Sequence, residues 1–138
     1  MLEAAPTEVT LEIGEVVAAI DACLDSIQAC TACADESLAE EDVKDLRLSI
    51  ALCESCADTC TVTARALSRP SHWDHVVVHE LLRACVRTCT SCAEECERHA
   101  QHHRHCAICA RVCRACERAC TDLLETEALE QLGKLAGG

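Results

Sequence analysis

Cys106, Cys109, Cys113, Cys116 and Cys120 are spaced 3, 4, 3 and 4 residues apart. Because an α-helix repeats about every 3.6 residues, this alternation keeps all five side chains on one face of a single helix. At ~1.5 Å rise per residue the row is ~21 Å long. A helix whose core face is almost wholly sulfur restricts both the fold around it and the chemistry inside it.

The rest of the chain repeats the pattern. Cys23, Cys30 and Cys33 share a stripe with Ile13, Val16, Ile20 and Ile27. Cys53, Cys56 and Cys60 follow Leu46 and Ile50 and precede Leu67. Cys85, Cys89, Cys92 and Cys96 continue from Val78, Leu81 and Leu82. Four segments thus carry 3, 3, 4 and 5 cysteines in helical phase, a weak internal repeat. With 138 residues, no Phe or Tyr, one Trp, 4 Gly and 2 Pro, the chain lacks both aromatic core formers and the turn residues of a sheet. The expected fold is all-α: a single-domain antiparallel four-helix bundle, with helices at about 8–38, 42–68, 72–99 and 102–124.

Residues 1–6 read as a tail ending at Pro6, with Thr7 or Thr10 as the first cap. Glu40-Glu41-Asp42 marks a turn and suits the positive end of the next helix dipole. Arg69-Pro70 ends the second helix, and Ser71 with Asp74 resembles a capping box. Between Cys96 and Cys106, ERHAQHHRH contains no breaker, yet helices of matching length call for a break near 100–102. ETEALEQLGKL has room for a short terminal helix.

The net charge of −12 argues against nucleic acid and anionic membrane surfaces as partners. The N-terminus lacks a basic start and an apolar segment, so no signal peptide is expected. No stretch reads as a membrane span either. The expected compartment is the cytoplasm, where thiols stay reduced. An odd total of 15 cysteines at helical spacing also speaks against a disulfide scaffold.

Rows of thiols facing one another select soft metals: Cu(I), Zn(II) or iron–sulfur clusters. C-x-x-C pairs such as Cys30/Cys33 and Cys89/Cys92 lie inside helices, which cannot wrap one zinc ion as short loops do. Iron–sulfur ligands normally come from tighter loops. Opposed sulfur pairs suit Cu(I), and so many pairs suggest many ions. All fifteen cysteines are candidate ligands, Cys23 the least supported because it has no partner within one turn of its helix. The alternatives are a thiolate buffer for Zn(II) or Cd(II), an iron–sulfur electron carrier, and a structural helical interaction protein. No nucleophile–base arrangement or phosphate cradle points to an enzyme.

Over about residues 8–124, and above all in CAEECERHAQHHRHCAICARVCRACERAC at 92–120, the chain resembles the cytosolic cysteine-rich copper storage proteins. The resemblance implies a four-helix bundle that stores multiple Cu(I) ions. It would limit copper toxicity and hold copper for cuproenzymes. It also implies a homotetramer loaded by a copper-donating chaperone or a small thiol. In that family histidines stand at the open mouth and ligate copper, which makes His99, His103 and His105 candidate ligands and turns His102 to solvent. His72, His75 and His79 read as surface or capping residues. Ile13, Val16, Leu46, Leu67, Val78 and Leu81 are expected to plug the opposite end.

Overall fold

The computed structural model describes residues 6–126, with side chains from Ile13 onward. Its elements are α1 (Pro6–Leu38), α2 (Arg47–Leu67), α3 (His75–His99) and α4 (Arg104–Leu124). Short 3-10 turns at Val43–Leu46 and Pro70–His72 lead into α2 and α3. Each helix packs on its neighbours in sequence, and α4 closes back on α1.

The sulfurs themselves report the topology. Along α1, Cys23, Cys30 and Cys33 meet Cys116, Cys113 and Cys106 of α4, in opposite order. Along α2, Cys53, Cys56 and Cys60 meet Cys96, Cys89 and Cys85 of α3, again antiparallel. Across the diagonal, Cys23 meets Cys85 and Cys30 meets Cys92, so α1 and α3 run in parallel. This is the up-down-up-down bundle expected of helices joined by short connections.

Antiparallel packing gathers the 39–46 and 100–103 turns at one end, with the histidines. The α2–α3 connection, the start of α1 and the end of α4 share the other. Leu46, expected to plug the end opposite the histidines, therefore lies at the histidine end, because it begins α2 rather than finishing it. The opposite, aliphatic end is closed by Ala19, Leu67, Val78, Leu82 and Leu123, all buried, with Val16 and Ile20 packed against them. Ile13 is 56% exposed, and Leu82 is buried in place of the half-buried Leu81.

The seam follows the 3–4 spacing more strictly than hydrophobicity alone suggests. On α1 the buried row is Ala19, Cys23, Ser26, Cys30, Cys33 and Ser37; on α2 it is Leu46, Ser49, Cys53, Cys56, Cys60, Thr63 and Leu67. Ile27 and Ile50, read from sequence as seam residues, are only partly buried at its edge. The helix phase carried by the cysteines selects the serine beside each of them.

Local chemistry sets the helix ends. Asp74, not Ser71, caps α3: its side chain accepts from the Val77 N–H at 3.2 Å. Trp73 donates its indole N–H to the Ala66 carbonyl at 2.9 Å, tying the α2–α3 connection over the bundle end. Thr7 and Thr10, read from sequence as the first cap, fall within α1 as described. The terminal helix expected after residue 126 lies outside the described residues. Between α3 and α4, Arg114 clamps Glu97 with two hydrogen bonds of 2.9 Å and also reaches Glu117.

By length and composition α1 could also cross a membrane, since Ile13–Leu38 has a mean hydropathy of 1.4. Cysteine and alanine raise that value, so the helix passes this test against the expectation that no stretch approaches the ~20 apolar residues of a span. The cysteine face of this helix is buried in the bundle.

Candidate metal centre

The fifteen cysteines lie on four helices that turn their seams inward, and every one is free and buried. Nearest sulfurs are 3.6 to 4.0 Å apart, from Cys30 to Cys113 at one extreme to Cys53 to Cys96 at the other. These are contact distances between thiols, well beyond a disulfide bond. Groups of four lie close enough to share an ion: Cys23, Cys60, Cys85 and Cys116; then Cys30, Cys56, Cys92 and Cys113. Towards the histidines follow Cys30, Cys53, Cys92 and Cys109, then Cys33, Cys53, Cys96 and Cys109. From the second group onward, consecutive groups share two members, so one sulfur can serve two ions.

Cys23, without a partner on its own helix, finds Cys85 and Cys116 across the bundle, each at 3.8 Å. A search along one helix could not reveal that. Cys120 reaches Cys85 at 3.9 Å.

Protons fill this core when metal does not. Hydrogen bonding with Cys116, with burial behind it, holds the Cys23 and Cys89 thiols above their ordinary pKa. Cys109 does the same for Cys30 and Cys92. Many thiolates cannot coexist in so small a space, so an entering cation must displace protons. Cys33, at the histidine end, runs the other way, its pKa lowered first of all by the hydrogen bond with Cys106. Hydrogen bonds from neighbouring thiols also lower the pKa of Cys56, Cys109 and Cys116 along the core, so thiolate and thiol character alternate along the rows.

There His105 joins Cys33 and Cys106 in a further group. Its Nδ1 lies 3.4 Å from the Cys33 sulfur and 3.6 Å from that of Cys106. Its Nε2 meets the Glu40 carboxylate at 3.0 Å. A carboxylate on one ring nitrogen orients the other toward a metal, as in carboxylate–histidine–metal triads. His103 instead sits between Glu40 at 2.5 Å and Asp42 at 2.9 Å. Its pKa is raised, chiefly by the Asp42 hydrogen bond, while His105 holds the Glu40 carboxyl below the usual range. Burial pulls the His105 pKa down, but Cys33 and Glu40 outweigh it and the net direction is up. His99 bonds Glu95 at 3.0 Å, and His102 is exposed. Sequence reasoning had assigned Glu40 and Asp42 to a helix dipole. Their spacing carries no signal of a histidine some 60 residues away.

Four inward rows of free thiols with a histidine-and-carboxylate mouth define a soft-metal binding bundle. The copper storage protein profile matches residues 13–125, and the chain belongs to that family. A cytosolic copper storage protein from Streptomyces lividans, solved with five coppers, is 44% identical. It matches 85% of this chain and 98% of its own with a TM-score of 0.84. The Cu(I)-bound copper storage protein BsCsp3 is 31% identical and matches 79% of this chain and 97% of its own with a TM-score of 0.71. An uncharacterised cysteine-rich protein of Bacillus subtilis is 32% identical over 106 residues, 77% of this chain and 93% of the relative.

Proposed function

We infer that this chain stores Cu(I), several ions at a time, on the thiolates of its bundle core. One observation carries the reading: fifteen buried, unbridged cysteines line one axis, most of them in groups close enough to share an ion. A core that needed only small apolar residues could use alanine or valine, whereas soft thiolates select Cu(I) over harder ions. Shared sulfurs let one bridge two ions, so capacity approaches about one ion per cysteine or more. All fifteen cysteines are the ligands, joined at the mouth by His105, whose Nδ1 faces Cys33 and Cys106. His103 and His99 are held by carboxylates rather than aimed at thiols, and it is those carboxylates, Glu40, Asp42 and Glu95, that draw cations to that end. Stored copper is kept from adventitious chemistry and stays available to copper enzymes. It arrives from a copper-donating chaperone or a small thiol.

The protein acts in the cytoplasm as a homotetramer, a reading supported by family membership. Exposed Ile13, Val17 and Leu24 on α1 supply apolar surface for assembly. Sedimentation of the metal-free protein checks the tetramer.

A second reading has its own support. Sulfurs spaced 3.7 to 3.9 Å apart fit the edges of a tetrahedron around zinc with bonds of ~2.3 Å. The test is anaerobic titration of the reduced protein with Cu(I) against a chelator, followed by gel filtration and metal analysis, and repeated with Zn(II). Storage predicts about one copper or more per cysteine retained on the column, with zinc displaced by copper. Retention of one or two ions, or zinc that copper cannot displace, contradicts it.

A further inference from the structure

Two buried hydroxyls sit inside the cysteine rows with no partner. Ser26 and Ser49 are fully buried, and the Oγ of each lacks any hydrogen bond. Burying a hydroxyl unsatisfied costs about 1–3 kcal/mol, so a core gains nothing from it in the metal-free state. Each serine has an isoleucine as its next residue, Ile27 or Ile50, yet the seam position belongs to the serine.

Register places Ser26 within the ladder. Cys23 pairs with Cys85 at 3.8 Å and Cys30 with Cys92 at 3.9 Å across the same diagonal. Ser26 lies between Cys23 and Cys30 on α1, at the level where α3 presents Cys89. That sulfur contacts Cys56 at 3.7 Å and Cys60 at 3.9 Å, both on α2. One serine of the same row already faces sulfur: Ser37 Oγ lies 4.0 Å from the Cys33 Sγ. Ser49 repeats the arrangement on α2, one turn before Cys53.

We propose that Ser26 is a hydrogen-bond donor to the metal-loaded thiolate core. In the metal-free core no thiol sulfur is placed to accept from the Ser26 hydroxyl, although Ser37 Oγ finds one at 4.0 Å. A thiolate formed when Cu(I) displaces its proton is an anionic acceptor, and an O–H donated to it is a charge-assisted bond. The oxygen is too hard to be a good Cu(I) ligand itself. Ser26 is therefore a positioning residue: it leaves the metal shell to sulfur and stabilises the charge that loading creates. The cost of the idle hydroxyl falls on the empty protein and its benefit on the full one, which widens the difference between the two states.

This inference rests on the copper-storage reading and gives S26A opposite signs in the two states. Metal-free S26A should melt at the same temperature as the parent or higher, because only an orphan hydroxyl is removed. Fully loaded S26A should surrender its weakest-held copper to a chelator about tenfold more readily. In S26C a thiol at this position should raise retained copper by about one ion per chain, since the buried seat lies between the Cys23 and Cys30 rungs. Equal chelator sensitivity of S26A and parent overturns the proposal, as does equal destabilisation in both states or no added capacity in S26C. A parent protein that retains no copper fails differently: it removes the storage reading and this inference with it.

Discussion

The two ends of the bundle share one helix register and differ only in what occupies it. At the aliphatic end the rows finish in Ala19, Leu67, Val78, Leu82 and Leu123, buried side chains that offer no ligand. At the histidine end they finish in Cys33, Cys106 and His105, flanked by Glu40 and Asp42. This contrast predicts that traffic in the thiol-lined core has a direction. An ion approaching the histidine end meets carboxylates, then an imidazole nitrogen, then Cys33, a thiol whose pKa is lowered chiefly by its hydrogen bond with Cys106. At the other end it meets packed hydrocarbon.

The largest effect expected from breaking this contrast comes at the aliphatic end. Leu82 is fully buried among small residues, so Leu82→Ala should cost about 2–5 kcal/mol in metal-free stability, read by denaturant melting. It should also speed copper loss from the loaded protein. An unchanged off-rate would mean that the aliphatic end does not retain ions.

At the histidine end, His105→Ala should slow copper uptake about tenfold while total capacity falls by no more than about one ion per chain. Stopped-flow uptake and metal analysis separate the two quantities. Glu40→Gln should give a smaller slowing, because it leaves the imidazole but weakens its orientation. Uptake at the parent rate in both variants would move the entry route elsewhere.

The smallest effect lies on the wall between the ends. Arg114 holds the Glu97 carboxyl below its usual pKa, chiefly through their hydrogen bonds. A depressed carboxylate adds stability that is present above its unfolded value near 4.5 and is lost as pH falls through the folded value. The pair is largely exposed, so Arg114→Ala should cost at most about 1 kcal/mol at neutral pH. That difference should shrink as acid melts pass below the unfolded value and vanish once Glu97 is protonated in the folded protein. A difference that persists there would assign the effect to packing.

The fold was legible because cysteines at 3–4 spacing mark helix phase as plainly as leucines do, and four such runs with short links leave few packings. The break after His99 followed from matched helix lengths rather than from any local breaker. What sequence hid was lateral. Cys23 has its partners on α3 and α4, and Glu40 meets a histidine far along the chain. Leu46 changed ends because a helix start was counted with helix finishes. Ser26 and Ser49 were passed over for Ile27 and Ile50, since ranking by hydrophobicity overrode the phase that the neighbouring cysteines had already set.

The most direct test of the account is X-ray absorption at the copper edge of anaerobically loaded protein, compared between a few equivalents and saturation. Core storage predicts a first shell dominated by sulfur at saturation, with copper–copper scattering from ions that share bridging thiolates. Nitrogen or oxygen is then confined to a minor contribution from the histidine end. A shell rich in nitrogen and oxygen at saturation, with no copper–copper scattering, would place the metal on the surface and leave the thiols as packing.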